Sequence, residues 1–187
     1  MAGLPRRAPY DCPGKTVERF LYSDARRRVL MGPFGSGKSV ACCAEIMRRA
    51  RGQAPSGDGL RRTRWAIVHN TYPDLKNTTV KTWRDWWGED LGVFSRVAPF
   101  VHHMKIPQPD RTAIDCEVIF LAMDDEADAK KFLSLELTGI YFNEVRELRR
   151  GIVEAGDGRL GRYPSMKDGG PTWYGMIADT NMPDEDH

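Results

Sequence analysis

The stretch GPFGSGKS, residues 32–39, has the residue types and the spacing of a phosphate-binding loop, or P-loop. Its glycines let the backbone curl so that amide groups converge on phosphate oxygens, and the positive N-terminus of a following helix adds attraction. Lys38 is expected to neutralise the β and γ phosphates, and the hydroxyl of Ser39 to bind Mg²⁺. The predicted nucleotide-binding residues are Gly32, Pro33, Phe34, Gly35, Ser36, Gly37, Lys38, Ser39 and Val40.

Hydrolysis of a nucleotide also requires a carboxylate near the metal and a base that orients the attacking water. We expect both on a second strand, beside the strand that leads into the P-loop. Two stretches in which apolar residues run into polar ones offer them. VIFLAMDDE ends in Asp124, Asp125 and Glu126, and GIYFNE ends in Asn143 and Glu144. The first stretch matches the expected pattern of an apolar strand followed by acidic residues better, because it has an Asp followed by further acids.

The order of the stretches along the chain favours the second one. In hydrolytic P-loop proteins with an added strand, the strand that carries the base is normally followed by one whose polar tip senses the γ-phosphate. GIYFNE is followed by a helix and then by YGMIADTN, whose tip offers Asp179, Thr180 and Asn181. If Asp124 held the metal, ADTN would have no role. We therefore predict Glu144 as the base, with the Asp124 alternative left open.

Asn143 stands where a metal-supporting Asp is expected. An Asn amide oxygen can share the task of holding the water shell of Mg²⁺, with the loss of one negative charge. Asn143 and Ser39 are thus the predicted metal-supporting residues. A raised magnesium requirement is the expected consequence.

Apolar periodicity and turn residues place these motifs between alternating strands and helices. Strands are predicted at 26–31, 64–70, 137–145 and 171–181, with β-rich text at 93–123. Helices are predicted at 16–25, 40–52, 78–91, 125–136 and 145–156. This alternation predicts a three-layer α/β sandwich on a mostly parallel sheet, a P-loop fold of the RecA-like kind with an added strand.

The composition is that of one soluble globular domain. The 187 residues are 41% hydrophobic and 29% charged, and no run approaches the roughly 18 apolar residues of a membrane span. Residues 1–64 carry 14 Lys and Arg against 5 Asp and Glu, and the remainder carries 14 against 21. This asymmetry permits a polyanionic partner without demonstrating one. A protein of the cytosol, with no membrane partner, is expected.

The ordered series GPFGSGKS, NTYPDLKNTTVKTW, KKFLSLELTGIYFNEV, GRLGRYPS and ADTNMP resembles the ATPase domain of phage terminase large subunits, the motors that package DNA into procapsids. The resemblance covers most of the chain. It implies ATP and Mg²⁺ as cofactors and hydrolysis coupled to translocation of double-stranded DNA. It also implies a portal protein and a small terminase subunit as partners, in the host cytoplasm at the procapsid. A homo-oligomeric ring is expected at work, and a monomer in isolation.

By position, the resemblance assigns phosphate and magnesium binding to Lys38 and Ser39, with Lys38 also catalytic, and the base to Glu144. Asp179, Thr180 and Asn181 correspond to the coupling motif, which has Met182 inserted before its Pro183. Ring ATPases usually place a cation from a neighbouring subunit against the γ-phosphate. The candidates are Lys131, Arg146, Arg159 and Arg162. The chain ends at His187, before the lid and nuclease domain of the family, so DNA cleavage is not predicted.

Three other functions compete with this interpretation. A helicase or a small-molecule kinase would use the same P-loop, although a kinase needs an acceptor site in place of water. An assembly module that binds ATP and barely hydrolyses it is the non-enzymatic alternative, and Asn143 is its best support.

Trp83, Trp86 and Trp87 share one helical face with Val80, and we predict packing in the core or at a subunit interface for them.

Overall fold

Seven strands form one sheet in the computed structural model, which describes residues 10–182. They are β1 (Arg27–Gly32), β2 (Leu60–His69), β3 (Gly92–Ser95), β4 (Phe100–Pro107), β5 (Ala113–Ala122), β6 (Gly139–Phe142) and β7 (Gly175–Asn181). Their order across the sheet is β1-β7-β6-β2-β5-β4-β3. The strands β1, β7, β6, β2 and β5 are parallel to one another. β4 pairs antiparallel with β5, and β3 pairs antiparallel with β4 at the edge of the sheet. The predicted mostly parallel sheet is confirmed.

Helices cover both faces of the sheet. They are α1 (Lys15–Tyr22), α2 (Lys38–Gly52), α3 (Tyr72–Asp74), α4 (Lys81–Trp86) and α5 (Arg150–Asp157). Successive side chains of a strand point to opposite faces. In β2, Trp65 and Ile67 pack into the core that contains α1 and α2, whereas Ala66 and Val68 pack into the core that contains α5. No helix within residues 10–182 is long and apolar enough to cross a membrane.

The predicted helix at 78–91 differs most from the structure. Helical backbone begins earlier, at Tyr72, because the Thr71 hydroxyl caps the Asp74 amide and a proline occupies the first turn. It continues through a π-helical segment, Leu75–Val80, and α4 ends at Trp86. The predicted helix at 125–136 is a 3₁₀-helix at Glu126–Phe132, and the one at 145–156 is a short 3₁₀ turn followed by α5.

The tryptophan face of α4 packs mainly inward. Trp83 is fully buried, and its ring nitrogen donates to Nδ1 of His102 at 2.9 Å. The Trp87 ring lies 5.0 Å from that of Trp83, whereas Trp86 is 38% exposed. Trp83 therefore packs in the core, one of the two predicted alternatives, whereas Trp86 remains partly exposed.

A buried ionic cluster joins the strand and the helix that flank the P-loop. Glu45, on α2, is fully buried and accepts from Arg28 on β1 at 2.5 Å, from Arg48 at 2.6 Å and from Arg49 at 2.7 Å. Burial lowers the pKa of Arg28, and the hydrogen bond and charge of Glu45 oppose that shift. Without Glu45, three guanidinium groups would be left close together with no shared carboxylate.

The glycine at the start of β6 is required by close packing. Gly139 pairs with Trp65 on β2, and a Cβ at position 139 would lie 2.4 Å from the Trp65 ring. The preceding Thr138 accepts from the backbone N–H of Arg64 and donates to the carbonyl of Tyr163 at 2.8 Å. These contacts set the start of β6 against β2, and so set where its far end lies relative to the P-loop.

Candidate functional site

The P-loop lies between β1 and α2. Gly35 and Gly37 have φ angles of 73° and 79°, in the left-handed region that glycine adopts without strain. α2 begins at Lys38, and among the described residues no side chain caps its N-terminus. The amide groups of its first turn are therefore available to an anion.

Lys38 reaches from the start of α2 back across the loop and is only 6% exposed. Its Nζ donates to the carbonyl of Pro33 at 2.9 Å and to Oδ1 of Asn181 at 3.0 Å. Both acceptors are neutral, so hydrogen bonds to phosphate oxygens would be stronger than either of these.

Glu144 follows β6 and contacts the tip of β7. Its carboxylate accepts from the backbone N–H of Asn181 at 3.1 Å and from the Asn181 side-chain amide at 3.0 Å. The residue has φ 50° and ψ 56°, a left-handed conformation that costs a non-glycine residue on the order of 1–3 kcal/mol. Such strain is found at functional sites, where surrounding contacts hold it in place.

Burial raises the pKa of Glu144 above its ordinary value, and the charge of Asp179 adds to this effect. The backbone N–H of Asn181 and the charge of Lys38 act in the opposite direction. The net result is a carboxylate more basic than an exposed glutamate, which suits a group that polarises water.

Asn181 connects the two charged groups of the site. Its side-chain oxygen accepts from Lys38 while its side-chain nitrogen donates to Glu144. Thr180, before it, is 2% exposed. The predicted coupling residues thus lie between the P-loop and the predicted base, and Pro183 of the same motif lies outside the described residues.

Asn143 and Asp179 lie side by side at the ends of β6 and β7. Asn143 Nδ2 donates to Asp179 Oδ1 at 2.8 Å, and Asn143 Oδ1 accepts from the Thr79 hydroxyl at 2.6 Å. Asp179 Oδ2 accepts from the Ser39 hydroxyl at 2.7 Å. The amide oxygen of Asn143 therefore faces Thr79, and Asp179 is the residue that contacts Ser39, while the metal-supporting role of Asn143 stays a prediction.

The competing acids lie elsewhere. Asp124 and Asp125 follow β5, four strand positions from β1, or about 19 Å at the usual spacing between strands. Both are exposed, and Asp125 caps the following 3₁₀-helix through the amides of Ala127 and Asp128. The expectation that the strand before Glu144 lies directly beside β1 was wrong. β7 separates β6 from β1, and the Glu144 carboxylate contacts the tip of β7.

The surroundings of Ser39 fit a magnesium nucleotide. Mg²⁺ prefers oxygen ligands and usually keeps several waters while binding one or two carboxylates and substrate phosphates. The Ser39 hydroxyl and the Asp179 carboxylate are oxygen donors of this kind, next to the P-loop. Within residues 10–182, no group of three or more His, Cys, Asp or Glu side chains is placed to hold a metal ion.

A family model provides the first comparison with known proteins. The model described as terminase large subunit, T4likevirus-type, N-terminal matches residues 29–155, more than half of the chain, from β1 into α5. This chain belongs to that family. The predicted resemblance is confirmed. The match ends before β7, so it does not include the ADTN tip.

Solved structures agree with the terminase assignment at the level of the fold. The large terminase of a thermophilic bacteriophage superposes with a TM-score of 0.64 at 11% identity, over 89% of this chain and 38% of that one. The same phage protein in complex with ATP-γ-S gives 0.60 at 11% identity, over 89% of this chain and 37% of that one. The large terminase ATPase domain of Thermus phage P74-26 gives 0.57 at 16%, over 92% and 66%.

This terminase chain spans less than half the length of the first of those large terminases. No curated protein sequence matches it. Its fold is the RecA-like P-loop fold of the terminase ATPase domains, as predicted.

The four cations predicted to act on a neighbouring terminase subunit lie at two edges of the sheet, one formed by the carboxyl ends of the parallel strands and the other by their amino ends. Lys131 binds the carbonyl at the end of β5 and pairs with Asp128 at 2.7 Å. Arg146 is exposed, two residues after Glu144. Arg159 and Arg162 make backbone hydrogen bonds with Leu137, two residues before β6. Lys131 and Arg146 therefore share the edge that carries the P-loop, whereas the other two lie at the opposite edge.

Proposed function

We propose that this chain hydrolyses ATP to power translocation of double-stranded DNA into a viral procapsid. The observation that carries the proposal is the continuous series Lys38, Asn181 and Glu144, joined by hydrogen bonds of 3.0 Å at each step. It links a P-loop lysine, a strand tip and a basic carboxylate. Phosphoryl transfer to water uses a phosphate-binding lysine and a water-positioning residue, and here the strand tip connects the two.

Each part has a role in the proposed reaction. The P-loop amides and Lys38 hold the phosphates, and the strong electrostatic field of that site stabilises charge that develops during transfer. When bound, Mg²⁺ would neutralise phosphate charge. Glu144 orients and polarises the attacking water. Thr180 and Asn181 report the loss of the γ-phosphate, because Asn181 bonds both Lys38 and Glu144.

The partners follow from family membership and are part of the proposal. Double-stranded DNA would be held through its phosphates, which carry no sequence information. A portal protein and a small terminase subunit would complete the packaging machine in the host cytoplasm. We propose a ring of identical chains in which Lys131 or Arg146 acts on the neighbouring nucleotide, since these two cations lie at the P-loop edge.

Phosphate release by the purified chain tests the proposal. We expect the rate of ATP hydrolysis per subunit to rise with protein concentration, because a trans-acting cation requires a neighbouring subunit. We also expect duplex DNA to stimulate this rate. Stimulation by single-stranded DNA alone would favour a helicase. Tight ATP binding without turnover at any concentration, with or without duplex DNA, would overturn the proposal in favour of an assembly module.

Lys38→Ala is expected to weaken ATP-γ-S binding by about 10- to 100-fold, because a hydrogen bond to a charged group contributes on the order of 1.5–3 kcal/mol. Isothermal titration calorimetry measures the change. Lys167→Ala removes an exposed lysine and is the matched control, with unchanged affinity expected. Melting without nucleotide shows whether loss of the buried Lys38 stem has altered the fold. An unchanged affinity in Lys38→Ala would place the phosphates elsewhere.

A further inference from the structure

The carboxylate of Asp179 is fully buried, and its hydrogen-bond partners within the described residues carry no positive charge. Its partners there are three neutral donors: the Ser39 hydroxyl, the Asn143 amide and the backbone N–H of Glu144 at 3.0 Å. Burying a charge without a counter-charge is costly unless the group serves a bound cation. The donors orient the two oxygens next to the P-loop, and none of them brings a positive charge to the carboxylate.

Hydrogen bonding determines which way the neighbouring amide of Asn143 faces. An ionised carboxylate only accepts hydrogen bonds, so the amide nitrogen must face Asp179. The amide oxygen then faces Thr79, whose hydroxyl donates to it at 2.6 Å. Asn143 is 4% exposed and has its nitrogen and its oxygen engaged in this way. It therefore supports Asp179 through its nitrogen, while its oxygen is directed to Thr79.

Strand register places Asp179 where it can replace an Asp on β6. The last paired residues of β6 and β7 are Phe142 and Ala178, so the next residues, Asn143 and Asp179, are neighbours on adjacent strands. Asp179 also pairs with Leu30 on β1, the strand that leads into the P-loop. The site thus keeps one carboxylate, moved by one strand, about 4.8 Å, towards the P-loop.

We propose that Asp179, on β7, is the carboxylate that supports Mg²⁺ in this chain, and that Asn143, on β6, is the residue that positions it. The proposal rests on the proposed function, since it assumes that a magnesium nucleotide binds at the P-loop. Under this proposal an ordinary magnesium requirement is expected instead of a raised one, because Asp179 supplies the negative charge that Asn143 lacks. It also places metal support and the coupling residues Thr180 and Asn181 on the same strand.

The Mg²⁺ dependence of ADP binding tests this assignment without relying on turnover. Calorimetry is run in Mg²⁺ and in EDTA, and electron paramagnetic resonance of Mn²⁺ in the presence of ADP reports the metal directly. Wild type is expected to bind ADP more tightly with Mg²⁺. Asp179→Asn is expected to lose about 10- to 100-fold of affinity for ADP in Mg²⁺, with affinity in EDTA unchanged.

A double variant separates a metal-supporting role from a structural one. Asn143→Asp combined with Asp179→Asn returns the carboxylate to β6 and leaves an amide on β7, so most of the Mg²⁺ effect should be recovered. Asp124→Asn, which removes an exposed acid, is the matched control and should bind as wild type does. If Asp179→Asn alone fails to melt cooperatively, the double variant decides the question, and loss of the Mg²⁺ effect there overturns the proposal.

Two other outcomes have distinct meanings. If wild type binds ADP with a Mg²⁺ effect and Asp179→Asn keeps that effect in full, the assignment of Asp179 is wrong while the proposed function stands. If wild type binds no ADP under either condition, the proposed function itself fails, and the assignment fails with it.

Discussion

Glu144→Gln is expected to lower ATP hydrolysis by about 10²- to 10⁴-fold, the usual contribution of a positioned general base, while ATP-γ-S still binds. Glutamine keeps the volume of the side chain and can still accept from Asn181, so the tip of β7 stays in place. It cannot carry the negative charge that polarises water. Phosphate release at saturating ATP measures the loss, and calorimetry measures the retained binding.

Glu147→Gln is the matched control for this variant. It makes the same change in charge three residues later, at an exposed position, and should hydrolyse ATP at the wild-type rate. Normal turnover in Glu144→Gln would remove Glu144 from the mechanism. Asp124 and Asp125 would not be ready replacements, since about 19 Å separates their strand from β1.

Patterns along the chain predicted the frame of the site because its main parts are local. The P-loop, its strand and its helix are consecutive, and apolar periodicity marks both flanking elements. The order of GIYFNE and YGMIADTN predicted that Glu144 and Asn181 belong together, and their side chains are in contact. What order could not give is that β7 lies between β6 and β1, because strand order is decided by packing of helices on both faces.

The arrangement of Asn143 and Asp179 was missed because it is made across strands. A search for adjacent letters looks for a carboxylate next to Glu144 in the sequence, whereas the structure supplies it from β7, 35 residues away. Register decides such a pairing, and a shift of one residue would turn either side chain to the other face. The available signal was an Asp at the end of the apolar run GMIA, where an ionisable residue is expected to be buried.

Some stretches that carry the resemblance serve the fold and do not touch the nucleotide edge. Gly139, in LTG, makes room for the Trp65 ring, and Gly161, in GRLGRYPS, has φ 74° with the Tyr174 ring against it. Thr138 bonds the carbonyl of Tyr163, which joins the two stretches. Their role is to set where β6 begins and thereby where Glu144 ends up.

The basic first third of the chain is weaker evidence for a polyanionic partner than its net charge suggests. Many of its arginines form ion pairs within the described residues: Arg27 with Asp157, Arg28, Arg48 and Arg49 with Glu45, Arg61 with Asp110, Arg62 with Asp58, and Arg64 with Glu117. Composition cannot distinguish such internal pairs from cations that face a polyanion. A duplex-binding surface therefore has to be sought among cations that the fold leaves unpaired.

Glu45→Ala is expected to lower the free energy of unfolding by about 3–5 kcal/mol, the usual cost of removing one partner of a buried ion pair. Arg28 is 7% exposed and would keep its charge in the core without a carboxylate. Arg48 and Arg49 would add repulsion, since both now share Glu45 with Arg28. Urea denaturation followed by circular dichroism measures the change, and Glu45→Gln, which keeps the size of the side chain, separates charge from volume.

Glu154→Ala is the control, because Glu154 pairs with Arg150 on the exposed face of α5, where removal should leave the free energy of unfolding nearly unchanged. Similar losses in both variants would mean that burial adds nothing to the Glu45 cluster.

The Glu45 cluster also has a consequence for nucleotide binding. Arg28 is on β1 and Glu45 is on α2, so their bond holds together the two elements that present the P-loop. Glu45→Ala should therefore weaken ATP-γ-S binding even at temperatures where the chain remains folded, although Glu45 lies outside the P-loop itself.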